Sequence, residues 1–176
     1  MNNTNRKTEI HANLYLVGLM GTGKTTIGEL LATRLGMKFI DSDLAIEKST
    51  GMSVSQIFST HGESHFRKLE EKFIVSEHPQ NNCVIACGGG LCIPNGMMEE
   101  LKSRGKVICL WASAETLFDR TKMDRSRPLL QDSKPLDILK NLIEERKSRY
   151  READLVVETD NLSPELVVEN ILKESC

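Results

Sequence analysis

The chain has 176 residues, 39% hydrophobic and 27% charged, which fits one globular unit with a sizeable core. Its formal net charge of -2, from 23 basic and 25 acidic residues, excludes a protein that coats nucleic acid through a general positive field. It leaves room for a small anionic ligand held by a few arginines. No stretch approaches the ~18 apolar residues that a membrane-spanning helix needs.

The opening residues, MNNTNRKTEIHA, are polar and read as a loose arm rather than a signal peptide. Short apolar runs then alternate with helical patterns. Strands are predicted at Asn13–Val17, Lys38–Ile40, Cys83–Cys87, Lys106–Trp111 and Asp154–Glu158. Their apolar character is that of strands covered on both faces. The helical stretches between them supply the long crossovers of a mostly parallel sheet. Gly36 and Gly51 predict helix ends. Ser53-Val54-Ser55-Gln56 is a capping-box pattern, and Ser163-Pro164-Glu165 marks the start of the last helix. The polar stretch 121–134, TKMDRSRPLLQDSK, interrupts two helices and predicts a mobile loop. The five cysteines (Cys83, Cys87, Cys92, Cys109 and Cys176) are an odd set without a CxxC pair. They read as reduced, buried thiols in a cytoplasmic setting rather than as a metal site.

The strongest motif is GLMGTGKTT, residues 18 to 26. Gly18, Gly23, Lys24 and Thr25 satisfy GxxxxGK[ST], with an apolar strand before it and a helical pattern after it. The backbone N–H groups of such a loop, here Gly21, Thr22, Gly23 and Thr26, turn inward to a nucleotide's phosphates, and the helix start adds partial positive charge. Lys24 reaches the outer phosphates, and the Thr25 hydroxyl is a magnesium ligand. The motif alone does not separate a kinase from a motor or a switch. Thr121-Lys122-Met123-Asp124 fits the [NT]KxD of a GTP switch, but it follows a helical pattern, and no DxxG follows the second strand. It reads as coincidence.

Other residues point to an acceptor. Asp41 and Asp43 stand at i and i+2, and in an extended segment both project the same way. Asp41 then holds magnesium, directly or through water, while Asp43 either faces the acceptor or caps the next helix. Arg67 and Glu70 are spaced to pair on one helix face, next to Phe66, either in solvent or in a crevice. Gly88-Gly89-Gly90 ends the third strand, where it admits a ligand to the backbone or makes a flexible turn. Arg120, Arg125 and Arg127 lie in or just before the polar loop, placed to close over a nucleotide or to remain solvated. Arg146 and Tyr150 are i and i+4 neighbours on a basic helix.

In their order and spacing, GLMGTGKTT, FIDSD, GESHFRKLEE, CGGG, RPLL at 127–130 and the ER-x3-Y that ends at Tyr150 resemble the shikimate kinases. The resemblance runs from about Asn13 to the C-terminus. It implies transfer of the terminal phosphate of ATP to the 3-hydroxyl of shikimate, with magnesium, in aromatic amino acid (chorismate) biosynthesis. It implies a three-layer α/β/α fold with a five-stranded parallel sheet, related to the nucleoside monophosphate kinases. A lid at about 121–134, an acceptor-binding subdomain at about 42–72 and a cytoplasmic monomer belong to the same expectation. Carried over by motif, Asp43, Arg67, Gly89 and Arg146 bind shikimate, with Gly88 and Gly90 in the same glycine run. The arginines hold the carboxylate, Asp43 holds the hydroxyls, and Phe58 and Phe66 pack against the ring. Glu70 orients Arg67, Arg127 is the lid arginine near the transferring phosphate, and Arg120 lies against adenine. Lys24, Asp43 and Arg127 are the expected catalytic set. Two departures stand out: GKTT replaces the commoner GKS, and Asp160-Asn161-Leu162-Ser163 lacks the basic residue of some relatives. The rival readings are a kinase for another acceptor, such as gluconate, and a nucleotide-dependent switch that would favour GTP.

Overall fold

The computed structural model describes residues 12–122 and 134–175. Five strands, β1 (Asn13–Val17), β2 (Lys38–Asp41), β3 (Cys83–Ala86), β4 (Gly105–Trp111) and β5 (Leu155–Glu158), form one sheet in the order β2-β3-β1-β4-β5. Every pairing is parallel. The crossovers are helical: α1 (Lys24–Leu35), α2 (Ser42–Thr50), α3 (Val54–His61), α4 (Glu63–Lys72), α5 (Met97–Arg104), α6 (Ala114–Thr121), α7 (Pro135–Tyr150) and α8 (Pro164–Ser175). Helix α4 continues into one π-helical turn, Phe73–Glu77.

The apolar strands are explained by two cores, one on each face. Tyr15, Val17, Ile85, Val107 and Cys109 point into one, with Ile57, Leu101, Leu117, Leu139 and Tyr150. Leu14, Leu16, Val84, Ile108 and Leu110 point into the other, with Ile27, Leu31, Val167 and Ile171. Successive residues of β1 therefore serve opposite layers, so no position on it can be polar without a partner. Each such side chain contributes roughly 1.5–3 kcal/mol of burial. Asn13, the polar member of β1, is fully buried and satisfied: its side chain donates to Pro79 O and accepts from Cys83 N.

The helix ends follow the sequence signals. Gly36 and Gly51 adopt the left-handed conformation and return their N–H groups to the preceding turn. Ser53 and Gln56 form the reciprocal capping box that starts α3. One expectation is corrected at the end of β2. The strand stops at Asp41 and Ser42 already belongs to α2, so Asp41 and Asp43 are not two like-facing residues of an extended segment. Asp41 is the helix cap, accepting from the N–H groups of Asp43 and Leu44, while Asp43 sits in the first turn.

The carboxyl ends of all the strands face one edge. Connections from β1 leave toward β2 and β3 on one side, and β4 and β5 lie on the other. That reversal makes a crevice beyond β1, where open α/β sheets bind their ligands.

Candidate active site

The loop after β1 is built for close backbone approach. Gly18 has φ 135 and Gly23 has φ 94, in the region that side chains disfavour, and a Cβ on Gly18 would collide with Leu110 O of β4. Thr22, buried, closes the turn by donating to Leu19 O at 2.8 Å. Lys24 opens α1 and lies across the loop, donating to Gly18 O at 2.8 Å and Leu19 O at 3.0 Å. Thr25 and Thr26 are exposed in the first turn. The Thr25 hydroxyl donates to Asp41 Oδ2 at 3.1 Å, which joins the loop to the start of α2. These two oxygens suit a hard divalent cation. Asp41 Oδ1 is committed to the cap, so Asp41 is better placed behind a metal-bound water than as a direct ligand.

Arg120, from α6, donates to Gly21 O at 3.3 Å, Thr159 Oγ1 at 3.0 Å and Thr159 O at 2.6 Å. It thereby ties the phosphate loop to the segment after β5. Beside it, Asp160 accepts from the N–H and hydroxyl of Ser113, the cap of α6. Arg125 and Arg127 lie outside the described residues, as does most of the stretch 121–134. Thr121 is the last residue of α6 and bonds back to Leu117 O, so the TKMD stretch begins inside a helix and not after a strand.

On the other side of the glycine run, α2 and α4 bring acids and an arginine together. Arg67 Nη1 donates to Glu70 Oε2 at 2.6 Å, and its Nε and Nη2 donate to Glu63 Oε1 at 3.2 and 2.7 Å. Burial opposes the charge on Arg67, but Glu70 and Glu63 outweigh it and raise its pKa. Glu70 is 1% exposed, so this is not the solvent pair that spacing alone allows. Burial pushes the Glu70 carboxyl up to about 7, with Arg67 only partly offsetting it. Burial, followed by the charge of Asp41, also raises Asp43, while Lys24 pulls it down.

The glycines are pressed against this cluster. A Cβ on Gly88 would stand 2.6 Å from Asp43 Oδ1 and 2.7 Å from Glu70 Oε1. One on Gly90 would stand 2.5 Å from Arg67 Nη2. The Gly88 N–H is held by the buried Ser42 hydroxyl at 2.9 Å. Gly89 faces the other way, and a Cβ there would lie 3.5 Å from Met20 N and 3.7 Å from Gly18 O. Its carbonyl accepts from Tyr150 Oη at 2.6 Å and from Arg146 Nη1 at 3.4 Å, so one face of α7 is docked onto the run. Burial raises the Tyr150 phenol and keeps it a neutral donor.

The two phenylalanines divide their roles. Their rings lie 5.0 Å apart, but Phe66 is 3% exposed and belongs to the core, while Phe58 is 37% exposed. Phe58 thus carries the accessible aromatic face, and Phe66 backs it and the Arg67 guanidinium, 5.8 Å from its ring centre. Cys83, Cys87, Cys92 and Cys109 are buried free thiols, raised by burial to about 12 for Cys92 and Cys109. Among the described residues no group of three or more His, Cys, Asp or Glu is arranged to hold a metal ion. Ser42, Glu63 and Thr159 escaped the sequence reading. Glu63 alone had a signal, its i, i+4 spacing to Arg67.

A phosphate loop and a glycine run flanked by Asp43, Glu70, Arg67 and Arg146 share one sheet edge, the arrangement of a P-loop kinase for a small molecule. The sequence model of the shikimate kinase family, described as "Shikimate kinase", matches residues 20–175. The chain is 46% identical over 162 residues to the shikimate kinase of Thermodesulfovibrio yellowstonii, covering 92% of this chain and 94% of that one. It is 44% identical over 160 residues to that of Sulfurihydrogenibium, covering 91% and 95%. The structure of shikimate kinase from Acinetobacter baumannii in complex with shikimate superposes with a TM-score of 0.88 at 38% identity, over 94% of this chain and 93% of that one. The chain belongs to the shikimate kinase family, the ATP-dependent kinases that make shikimate 3-phosphate in aromatic amino acid biosynthesis. A gluconokinase from Sinorhizobium meliloti, with a TM-score of 0.56 at 16% identity over 95% of this chain and 97% of that one, shares the fold alone.

Proposed function

We propose that this protein transfers the γ-phosphate of ATP to the 3-hydroxyl of shikimate, with Lys24, Asp43 and Arg127 as its catalytic set. The observation that carries this reading is the position of Gly89, between the phosphate loop on one side and Arg146 and Tyr150 on the other. An acceptor bound on the glycine run would stand directly beside the nucleotide's outer phosphate. Arg67 and Arg146 approach the run from different helices and offer forks to one carboxylate. Asp43 reaches it from a third and takes the ring hydroxyls, and Phe58 covers the ring.

Phosphoryl transfer has a loose transition state in most analyses, so positioning and charge neutralisation carry the catalysis. Lys24 and the N-terminus of α1 meet the charge that spreads over the phosphate oxygens. Arg127 adds to them from the stretch 121–134, the proposed lid, and Arg120 lines the adenine side. Magnesium, held by Thr25 with Asp41 behind a bound water, would supply further neutralisation when present. Asp43 aligns the attacking hydroxyl. Its raised pKa makes it a better proton acceptor once the bond to phosphorus has begun to form. Residues 42–72 serve as the acceptor-binding part of a cytoplasmic monomer.

The test is coupled ADP release with ATP and magnesium, comparing shikimate, quinate, gluconate and no acceptor. The expected result is release with shikimate alone. Release with only another acceptor would keep the kinase and reject this acceptor. Nucleotide binding without acceptor-dependent release would reject the kinase and favour a binding module.

A further inference from the structure

Asp43 and Glu70 each have one buried oxygen, Oδ1 and Oε1, that finds no hydrogen-bond partner among the described residues. Buried carboxylate oxygens are costly to leave unpaired. These two face the same place. They lie 2.6 and 2.7 Å from the point where a Gly88 Cβ would be, so at most the two lengths together, about 5.3 Å, separates them. That gap is closed by one hydrogen bond, direct or relayed by one water. The opposite oxygen of Glu70 is already taken by Arg67.

We infer that Glu70 is a positioning residue for both charged arms of the acceptor site: Oε2 holds Arg67, and Oε1, carrying a proton, donates across Gly88 to the inward oxygen of Asp43. The absence of a side chain at Gly88 leaves room for this contact. Glu70 is the member that carries the proton because it is 1% exposed, whereas Asp43 is only partly buried. The groups facing Glu70 are Arg67 and Glu63 on its own helix, Asp43 on α2, and the thiols of Cys87 and Cys92 beyond β3. The thiols stay neutral because burial raises them far above neutral pH. Once Glu70 ionises, that donor is lost, two carboxylates confront each other across Gly88, and Asp43 is pushed from its alignment. The burial that lifts Glu70 to about 7 places this change within the working range of the protein.

This inference rests on the acceptor-site reading above, and its test separates the two. Glu70→Gln puts a permanent amide donor where the proton was and keeps an oxygen for Arg67. In the unaltered protein, kcat/KM for shikimate is expected to fall about tenfold per pH unit above about pH 7. Glu70→Gln is expected to lose that descending limb, whatever the height of its plateau. Glu70→Ala, which strands both Arg67 and Asp43, is expected to raise the shikimate KM at every pH while the ATP KM moves little. Infrared difference spectra of the free protein give an activity-free readout: the carbonyl band of a protonated carboxyl group, absent in Glu70→Gln. The same limb and band in Glu70→Gln as in the parent would overturn the inference. A shikimate KM indifferent to Glu70→Ala would instead reject the acceptor site, with the band still reporting on Glu70.

Discussion

A methyl group on Gly88 is the smallest change that should disable the acceptor site while leaving the nucleotide site intact. In Gly88→Ala the new carbon would stand 2.6 Å from Asp43 Oδ1 and 2.7 Å from Glu70 Oε1, where ordinary contact begins at 3.4 Å. Each carboxylate must retreat by roughly 0.7–0.8 Å. The Asp41 cap fixes the backbone of Asp43 in the first turn of α2, and Glu70 is held by Arg67 at 2.6 Å, so the retreat has to come from turning the two carboxylates away from the run. Misplacing a positioning group by about 1 Å costs on the order of 100-fold. That is about 2.7 kcal/mol of transition-state stabilisation. Coupled ADP release at saturating ATP should therefore show kcat/KM for shikimate down about 100-fold, with the ATP KM within a few-fold of the parent. Gly89→Ala is the contrast, because its nearest neighbours, at 3.5 Å and beyond, make only ordinary contacts. That variant should fold without strain, and any loss in it reports on the ligand's own approach. A Gly88→Ala protein with unchanged shikimate kinetics would refute the argument that Asp43 and Glu70 are held at this wall.

Four further outcomes are expected. Arg146→Ala should raise the shikimate KM well above any change in the ATP KM, and equal rises would count against a carboxylate clamp. Asp43→Asn should keep ATP binding, measured by titration, and lose most turnover; normal turnover would remove Asp43 from the mechanism. Ser53→Ala removes the hydroxyl that accepts from Gln56 N–H, leaves the Ser53 N–H donating to Gln56 Oε1, and should cost about 1 kcal/mol in urea unfolding. Glu70 should give a pH dependence of stability. Its folded pKa is raised from 4.5 to about 7, so between those values the folded state binds more protons than the unfolded one. Its contribution is therefore greatest below about pH 4.5 and is lost as pH rises to about 7, a change on the order of 3 kcal/mol. Urea midpoints for Glu70→Gln should lack this slope, and identical slopes in both proteins would exclude Glu70 as its source.

The sheet was legible because its information is local. Each strand has to fill two cores, so its apolar run ends where the strand ends, and the predicted boundaries match to within one residue at either end. The caps at Gly36, Gly51 and Ser53 were legible for the same reason, since each is a contact between residues close in the chain. The end of β2 was misread because Asp41 does two things at once: it closes the strand opposite Ala86 and caps α2, so the chain is already helical before Asp43. Phe66 and Phe58 look alike in sequence, and tertiary burial alone assigns one to the core and leaves the other exposed.

By itself, the sequence determined that a phosphate loop sits between a strand and a helix, because glycine geometry and a lysine at fixed spacing act within one turn of chain. It determined the family through motifs that are each local. Only the tertiary structure decided what those motifs do to one another. Glu70 becomes a buried acid instead of a solvent partner because α4 is folded against Gly88 and α2. Gly89 joins the phosphate loop to Arg146 and Tyr150 because β3 and α7, far apart in the chain, meet there. Burial, and the charge shifts it causes, depend on what the rest of the chain brings near a residue, and spacing along the sequence does not carry that.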